Sequence, residues 1–108
     1  MDAIENRPGC VKQTLAIMGD KWTGIILQKM VEGACRFSTL QESVEGISPR
    51  TLSQRLDYLE EQDIITKKSF AEMPPRVEYT LTSKGTDLVP ILRQMATWGE
   101  KYHQPTSC

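Results

Sequence analysis

The stretch Ile47–Leu59, ISPRTLSQRLDYL, describes a short helix with two unlike edges. Ser48 suits the capping position, where its hydroxyl accepts from the orphan amides of a first turn. Pro49 follows at the first helical position, where no amide is wasted. Leu52, Leu56 and Leu59 repeat at i, i+4 and i+7, which gives a single apolar stripe. Arg50 and Gln54 point away from it, with Thr51 on the flank. An outer edge of Arg, Thr and Gln fits the major groove of DNA, where such side chains pair with base edges and phosphates. The stretch therefore predicts a recognition helix.

The segments on either side extend this reading. Val11, Leu15 and Met18 form an apolar stripe on a first helix that Gly19 ends. Asp20 then caps a second helix, with Trp22, Ile25, Ile26 and Met30 on one face and Gly33 closing it. Ser38 with Gln41 reads as a capping box that opens a third helix to about Val44. A turn at Gly46-Ile47 leads into Ser48, so the third and fourth helices form a helix-turn-helix over about 38–62.

Beyond it the periodicity falls to two. Val77, Tyr79 and Leu81 alternate with Arg76, Glu78 and Thr80, as in a half-buried strand. Its partner runs from Ile64 to about Ala71, and Met73-Pro74-Pro75 forms the tip, where missing amides do no harm. This hairpin, over about 64–82, is a wing that carries Lys67, Lys68 and Arg76. A last helix, about 83–103, places Leu88, Ile91, Leu92, Met95, Trp98 and Tyr102 at helical spacing. Pro90 lies within it, so a kink or a late start is expected there. So much apolar surface on a terminal helix points to packing against a second subunit.

Composition frames the same picture. The chain has 108 residues, 39% hydrophobic and 25% charged, as expected of one globular domain over 1–108. The expected fold class is mainly α with a small β-hairpin, a winged helix-turn-helix with additional N- and C-terminal dimerisation helices. A formal charge of −1 is unusual for a nucleic-acid binder, so the distribution matters more than the sum. Between Ser48 and Leu56 both charges are positive, Arg50 and Arg55; Asp57, Glu60, Glu61 and Asp63 follow. The start of the helix can approach phosphate while its far end is repelled, which is how helix-turn-helix proteins dock. No signal peptide and no membrane-spanning run is visible, and three irregularly spaced cysteines fit a reducing cytoplasm. An enzyme is the weakest class, because there is one histidine, no glycine-rich phosphate loop and no GxSxG.

The blocks together resemble the HxlR-type transcriptional regulators, a winged-helix family related to the MarR group. The resemblance rests on a cysteine before the first helix, GDKWTGIIL at Gly19 to Leu27 and RFSTLQ at Arg36 to Gln41. It rests also on GISPRTLSQRLDYLE at Gly46 to Glu60, PPRVEYTLTSKG at Pro74 to Gly85, and Trp98-Gly99. It implies a homodimer that binds a partly palindromic double-stranded operator, as a repressor. Base or phosphate contact would come from Ser48, Pro49, Arg50, Thr51, Gln54 and Arg55, and wing contact from Lys67, Lys68 and Arg76. Dimer contacts would come from Val11, Leu15, Leu92, Met95, Trp98 and Tyr102. No cofactor is expected.

Duller readings stand beside these. Arg55 lies about 60° from the leucine stripe, within reach of a carboxylate as well as a phosphate. Lys67 and Lys68 also serve to keep an edge strand from pairing. Cys10 matches the N-terminal cysteine of oxidant- and electrophile-sensing relatives, and Arg7, Lys12 and a helix N-terminus would favour its thiolate. The alternative for Cys10 is a small packing residue at the seam. Some sensing relatives also carry a C-terminal cysteine, which implies a Cys10–Cys108 bond between subunits. Cys35 has no evident partner and reads as packing. Cys10, Cys35, His103 and Cys108 lack metal-ligand spacing, so no metal site is expected. The rival functions are a winged-helix module that docks proteins, and a regulator of this family controlled by a small ligand.

Overall fold

A computed structural model describes residues 11–103. Cys10 and Cys108 lie outside the described residues. The elements run α1 (Val11–Met18), α2 (Thr23–Lys29), β1 (Cys35–Arg36), α3 (Phe37–Ser43), α4 (Pro49–Glu61), β2 (Ile65–Phe70), β3 (Arg76–Leu81) and α5 (Ser83–Tyr102). The strands form one antiparallel sheet in the order β1-β3-β2. This is a winged helix-turn-helix: α3 and α4 are its two arms and β2-β3 its wing.

α4 forms as its sequence dictates. Ser48 holds extended backbone and its Oγ accepts from the Thr51 amide at 3.1 Å, with Pro49 just inside. Leu52, Leu56 and Leu59 are at most 1% exposed and pack with Leu40, Ile26 and Ile64. Each buried leucine contributes about 1.5–3 kcal/mol relative to exposure. The turn before α4 needs a positive φ of 84° at Gly46, which a residue with a Cβ adopts reluctantly. Gln41 on α3 closes that turn by donating its Nε2 proton to the Ile47 carbonyl.

Several expectations are corrected. The Ser38–Gln41 capping box does not form: α3 begins at Phe37, with Arg36 at the cap and no side-chain cap bond. The cause is β1, which pairs Cys35 with Tyr79 and Arg36 with Glu78 and delivers the chain directly into the helix. A two-residue strand is too short to leave a period in the sequence. On α2 the buried set is Thr23, Ile26, Leu27 and Met30, while Ile25 is exposed. The shift arises because Asp20 caps a turn at Lys21-Trp22 and the helix starts only at Thr23.

α5 starts at Ser83 and runs unbroken past Pro90, so the late start is not seen. Thr82 caps it by accepting from the Gly85 amide at 3.0 Å, and donates its own proton to the Asp63 carbonyl at 2.6 Å. Gly85 is required by packing: a Cβ there would run into the Ile64 carbonyl. Only the first half of the helix is buried, through Gly85, Leu88, Val89 and Leu92. Leu92, expected at a dimer seam, is thus part of the protomer's own core, where its side chain meets the α2 backbone at Gly24.

Candidate nucleic-acid interface

The outer edge of α4 is polar from its first turn. Arg50 and Gln54 are exposed and Thr51 is half-buried. Among the described residues, the side chains of Arg50 and Gln54 have no hydrogen-bond or ion-pair partner. Ser48 is committed locally: besides capping, its Oγ donates to Thr51 Oγ1 at 2.9 Å. Along the same edge, i+7 and i+11 from Arg50, come Asp57 and Glu61, both exposed. The edge therefore changes from cationic to acidic in about three turns, and only its N-terminal end suits a polyanion.

Arg55 behaves differently. Its Nη1 lies 2.8 Å from Asp20 Oδ2, and its guanidinium sits 4.9 Å from the Tyr58 ring centre. The nearby carboxylate is the partner found in the structure, so Arg55 is not a free cation on the helix surface. Burial alone would raise the pKa of Asp20. Hydrogen bonds from the Thr23 hydroxyl, the Trp22 and Thr23 amides and Arg55 outweigh that and hold it below the ordinary carboxylate value.

The wing shows the same division. Lys67 and Lys68 are exposed on β2, and adjacent strand residues point to opposite faces. Lys68 pairs in register with Glu78, and its Nζ lies 5.2 Å from the Phe70 ring centre. Arg76 is held: Nη2 is 2.8 Å from Glu72 Oε2, Nε is 3.5 Å from Glu78 Oε2, and the guanidinium stacks 4.0 Å over Phe70. Arg76, expected as a wing contact, is held in the structure by two carboxylates and a ring. Sequence reasoning did not foresee these partners, although Glu72 and Glu78 flank Arg76 closely in the chain.

Cys35 takes the packing role expected of it. It pairs with Tyr79 in the sheet, its thiol donates to the Gly33 and Lys29 carbonyls at 3.5 and 3.6 Å, and burial raises its pKa. A thiol so placed is a poor nucleophile. Among the described residues no group of His, Cys, Asp and Glu could hold a metal ion.

A second surface is apolar. Val11, Leu15, Met95, Trp98 and Tyr102 are 51–62% exposed. On α5 they border an open trough of about 620 Å³ lined by Ile91, Met95, Trp98 and Tyr102. No helix among the described residues is long and apolar enough to cross a membrane.

A winged helix-turn-helix with a cationic helix start and a separate apolar face defines a class of regulatory proteins. Within it, the HxlR-like helix-turn-helix family model matches residues 17–107, and the chain belongs to that family. It is 40% identical over 95 residues to YdeP, an uncharacterized HTH-type transcriptional regulator of Bacillus subtilis, covering 87% of this chain and 74% of that one. Among solved structures it resembles a MarR-family transcriptional regulator of Porphyromonas gingivalis, with TM-score 0.82 and 33% identity over 92% of this chain and 95% of the other. It is also similar to the oxidized form of the redox regulator HypR, with TM-score 0.80 and 37% identity over 87% and 97% of the two chains. The family is one of transcriptional regulators, not of enzymes, and this chain is a regulator of HxlR/MarR type.

Proposed function

We propose that the chain is a sequence-specific, dimeric DNA-binding repressor whose α4 enters the major groove. The observation that carries this is the start of α4, where the Arg50 and Gln54 side chains, without partners among the described residues, project from a capped helix whose other edge is fully buried. In this reading Arg50, Thr51 and Gln54 contact bases or phosphates, and the Ser48-Pro49 turn brings the helix end to the backbone. Lys67 and Lys68 supply the wing contacts. Arg55 and Arg76 support these groups from within the protein. A second copy covers Val11, Leu15, Met95, Trp98 and Tyr102, which sets two half-sites about one helical turn, roughly 34 Å, apart.

Thiol control of the same regulator draws support from its relatives. HypR is described as a redox regulator, and YodB of Bacillus subtilis has been solved in diamide-treated and quinone-bound forms at 32% and 30% identity. Cys10 is the candidate for oxidation or electrophile attack, with Cys108 as its partner in the second subunit. With Cys35 packed and its pKa raised, it does not compete for this role.

The test is selection from random duplexes with reduced protein. Enrichment of a palindrome with half-sites one turn apart supports the reading. Arg50→Ala and Gln54→Ala should each weaken the selected site by about 1–3 kcal/mol and relax preference at one base position. If the pair together left binding unchanged, α4 would not be the reading element. On the selected duplex, diamide should release the wild type and spare Cys10→Ser; equal release of both would remove Cys10 from the mechanism.

A further inference from the structure

Side chains that the DNA-reading edge does not use fasten α4 to the N-terminal helix. Asp20 lies in the joint between α1 and α2. One of its oxygens accepts the Trp22 and Thr23 amides at 2.7 and 2.9 Å. The other accepts from the Thr23 hydroxyl at 2.6 Å and from Arg55 at 2.8 Å. Three residues beyond Arg55 on α4, the Tyr58 hydroxyl donates to the Ala16 carbonyl in the last turn of α1, at 3.4 Å. The Arg55 guanidinium lies against the Tyr58 ring, so the two ties form one strip along the flank of α4.

This strip matters because α1 packs only shallowly against the core. None of its residues is fully buried, and only Ile17 and Met18 pack against the core from a half-buried position. Its Val11 and Leu15 side chains are exposed on the face assigned above to the second copy. The joint at Asp20 is fixed by several bonds at once. A displacement of α1 is therefore passed to α4 by the Asp20–Arg55 pair and the Tyr58–Ala16 bond.

We propose that Asp20 is a positioning residue for DNA reading: through Arg55 it fixes where α4 sits relative to α1, and so the separation of the two recognition helices in the dimer. This rests on the reading of α4 given above. Two half-sites one helical turn apart are read well only if that separation is fixed. The ion pair is about one quarter exposed on each side, 27% and 26%, and pairs of that kind add little to folding stability. Its effect should appear in placement before it appears in the melting temperature.

Asp20→Asn tests this while keeping an acceptor for the two amides, and Arg55→Gln removes the other partner. On the wild type's selected duplex, each should weaken binding by about tenfold, with the double variant no worse than either single one. The slope of affinity against salt should stay unchanged, since no phosphate contact is lost. Duplexes whose half-sites are moved apart or together by one base pair supply the decisive readout: the wild type discriminates against them and both variants discriminate less. Arg55→Lys, which keeps the charge, should retain part of the discrimination.

The opposite pattern overturns the proposal. If Arg55 leaves Asp20 for a phosphate on binding, Asp20→Asn binds as well as the wild type or better, and Arg55→Gln lowers the salt slope by about one. Loss of binding with Arg50→Ala but none with Asp20→Asn or Arg55→Gln overturns the positioning role alone. Indifference to Arg50→Ala and Gln54→Ala overturns the DNA reading, and the positioning role with it.

Discussion

The two longest helices treat their apolar faces in opposite ways. α4 buries every leucine of its stripe inside the chain and leaves a polar edge free. α5 buries one side of its first three turns and leaves Ile91 there and Met95, Trp98 and Tyr102 beyond them exposed. A helix whose apolar side is satisfied within its own chain is available for a polar partner. One whose apolar side is not satisfied seeks an apolar partner, because contiguous exposed patches of that kind mark interaction surfaces. The same chain thus presents one surface suited to a polyanion and another suited to an apolar partner.

The contrast breaks first at the α4 stripe. Leu56→Ala removes a side chain that is 1% exposed and leaves a cavity, so unfolding by denaturant should show a loss of about 2–5 kcal/mol. An unchanged midpoint would mean that α4 is not anchored as described. At the root of α5, Gly85→Ala forces a methyl against the Ile64 carbonyl, which cannot yield as a flexible side chain would. A loss of about 1–3 kcal/mol is expected in the same measurement. Ser48→Ala deletes the cap of α4 at a cost of about 1 kcal/mol, while Ser48→Asp should preserve stability.

Acid sharpens the contrast more gently. The Asp20 pKa is lower folded than unfolded, so the unfolded state takes up its proton first as pH falls. The stabilisation is complete well above the ordinary value of 3.8 and disappears as pH falls through the lower folded value. Wild type should therefore lose stability through this window more steeply than Asp20→Asn, as read from melting curves at stepped pH. The smallest effect on the protomer's own fold belongs to Met95→Ser combined with Trp98→Ser. Both side chains face outward, so the concentration-independent stability should change by less than about 0.5 kcal/mol. Sedimentation should nevertheless shift from dimer to monomer, and a wild type that is already monomeric under the same conditions would remove the second-copy reading.

Much of this was legible because the signals are local. The Ser48-Pro49 start of α4, its leucine stripe and the i, i+4 position of Arg50 and Gln54 are properties of consecutive residues, and the structure reproduces them. The wing declared itself through alternation from Arg76 to Leu81 and through the prolines at its tip. Legibility failed where the answer depended on a residue distant in the chain. Arg55 reads as a cation like Arg50, yet it is taken up by Asp20, a carboxylate that only the folded arrangement brings within 2.8 Å. Leu92 and Met95 occupy neighbouring positions in the same apolar pattern, and helical spacing alone does not say which faces the protomer's own α2.

By itself, then, the sequence determined the helices and the wing, their order, the capped helix with its polar edge and the family to which the chain belongs. Tertiary structure alone decided which cations are free, which half of α5 is covered, and that a two-residue strand at Cys35–Arg36 sets the start of α3. The physical reason is range: periodicity and capping act over a few residues, whereas an ion pair such as Asp20–Arg55 joins groups 35 residues apart that meet only after the core has formed.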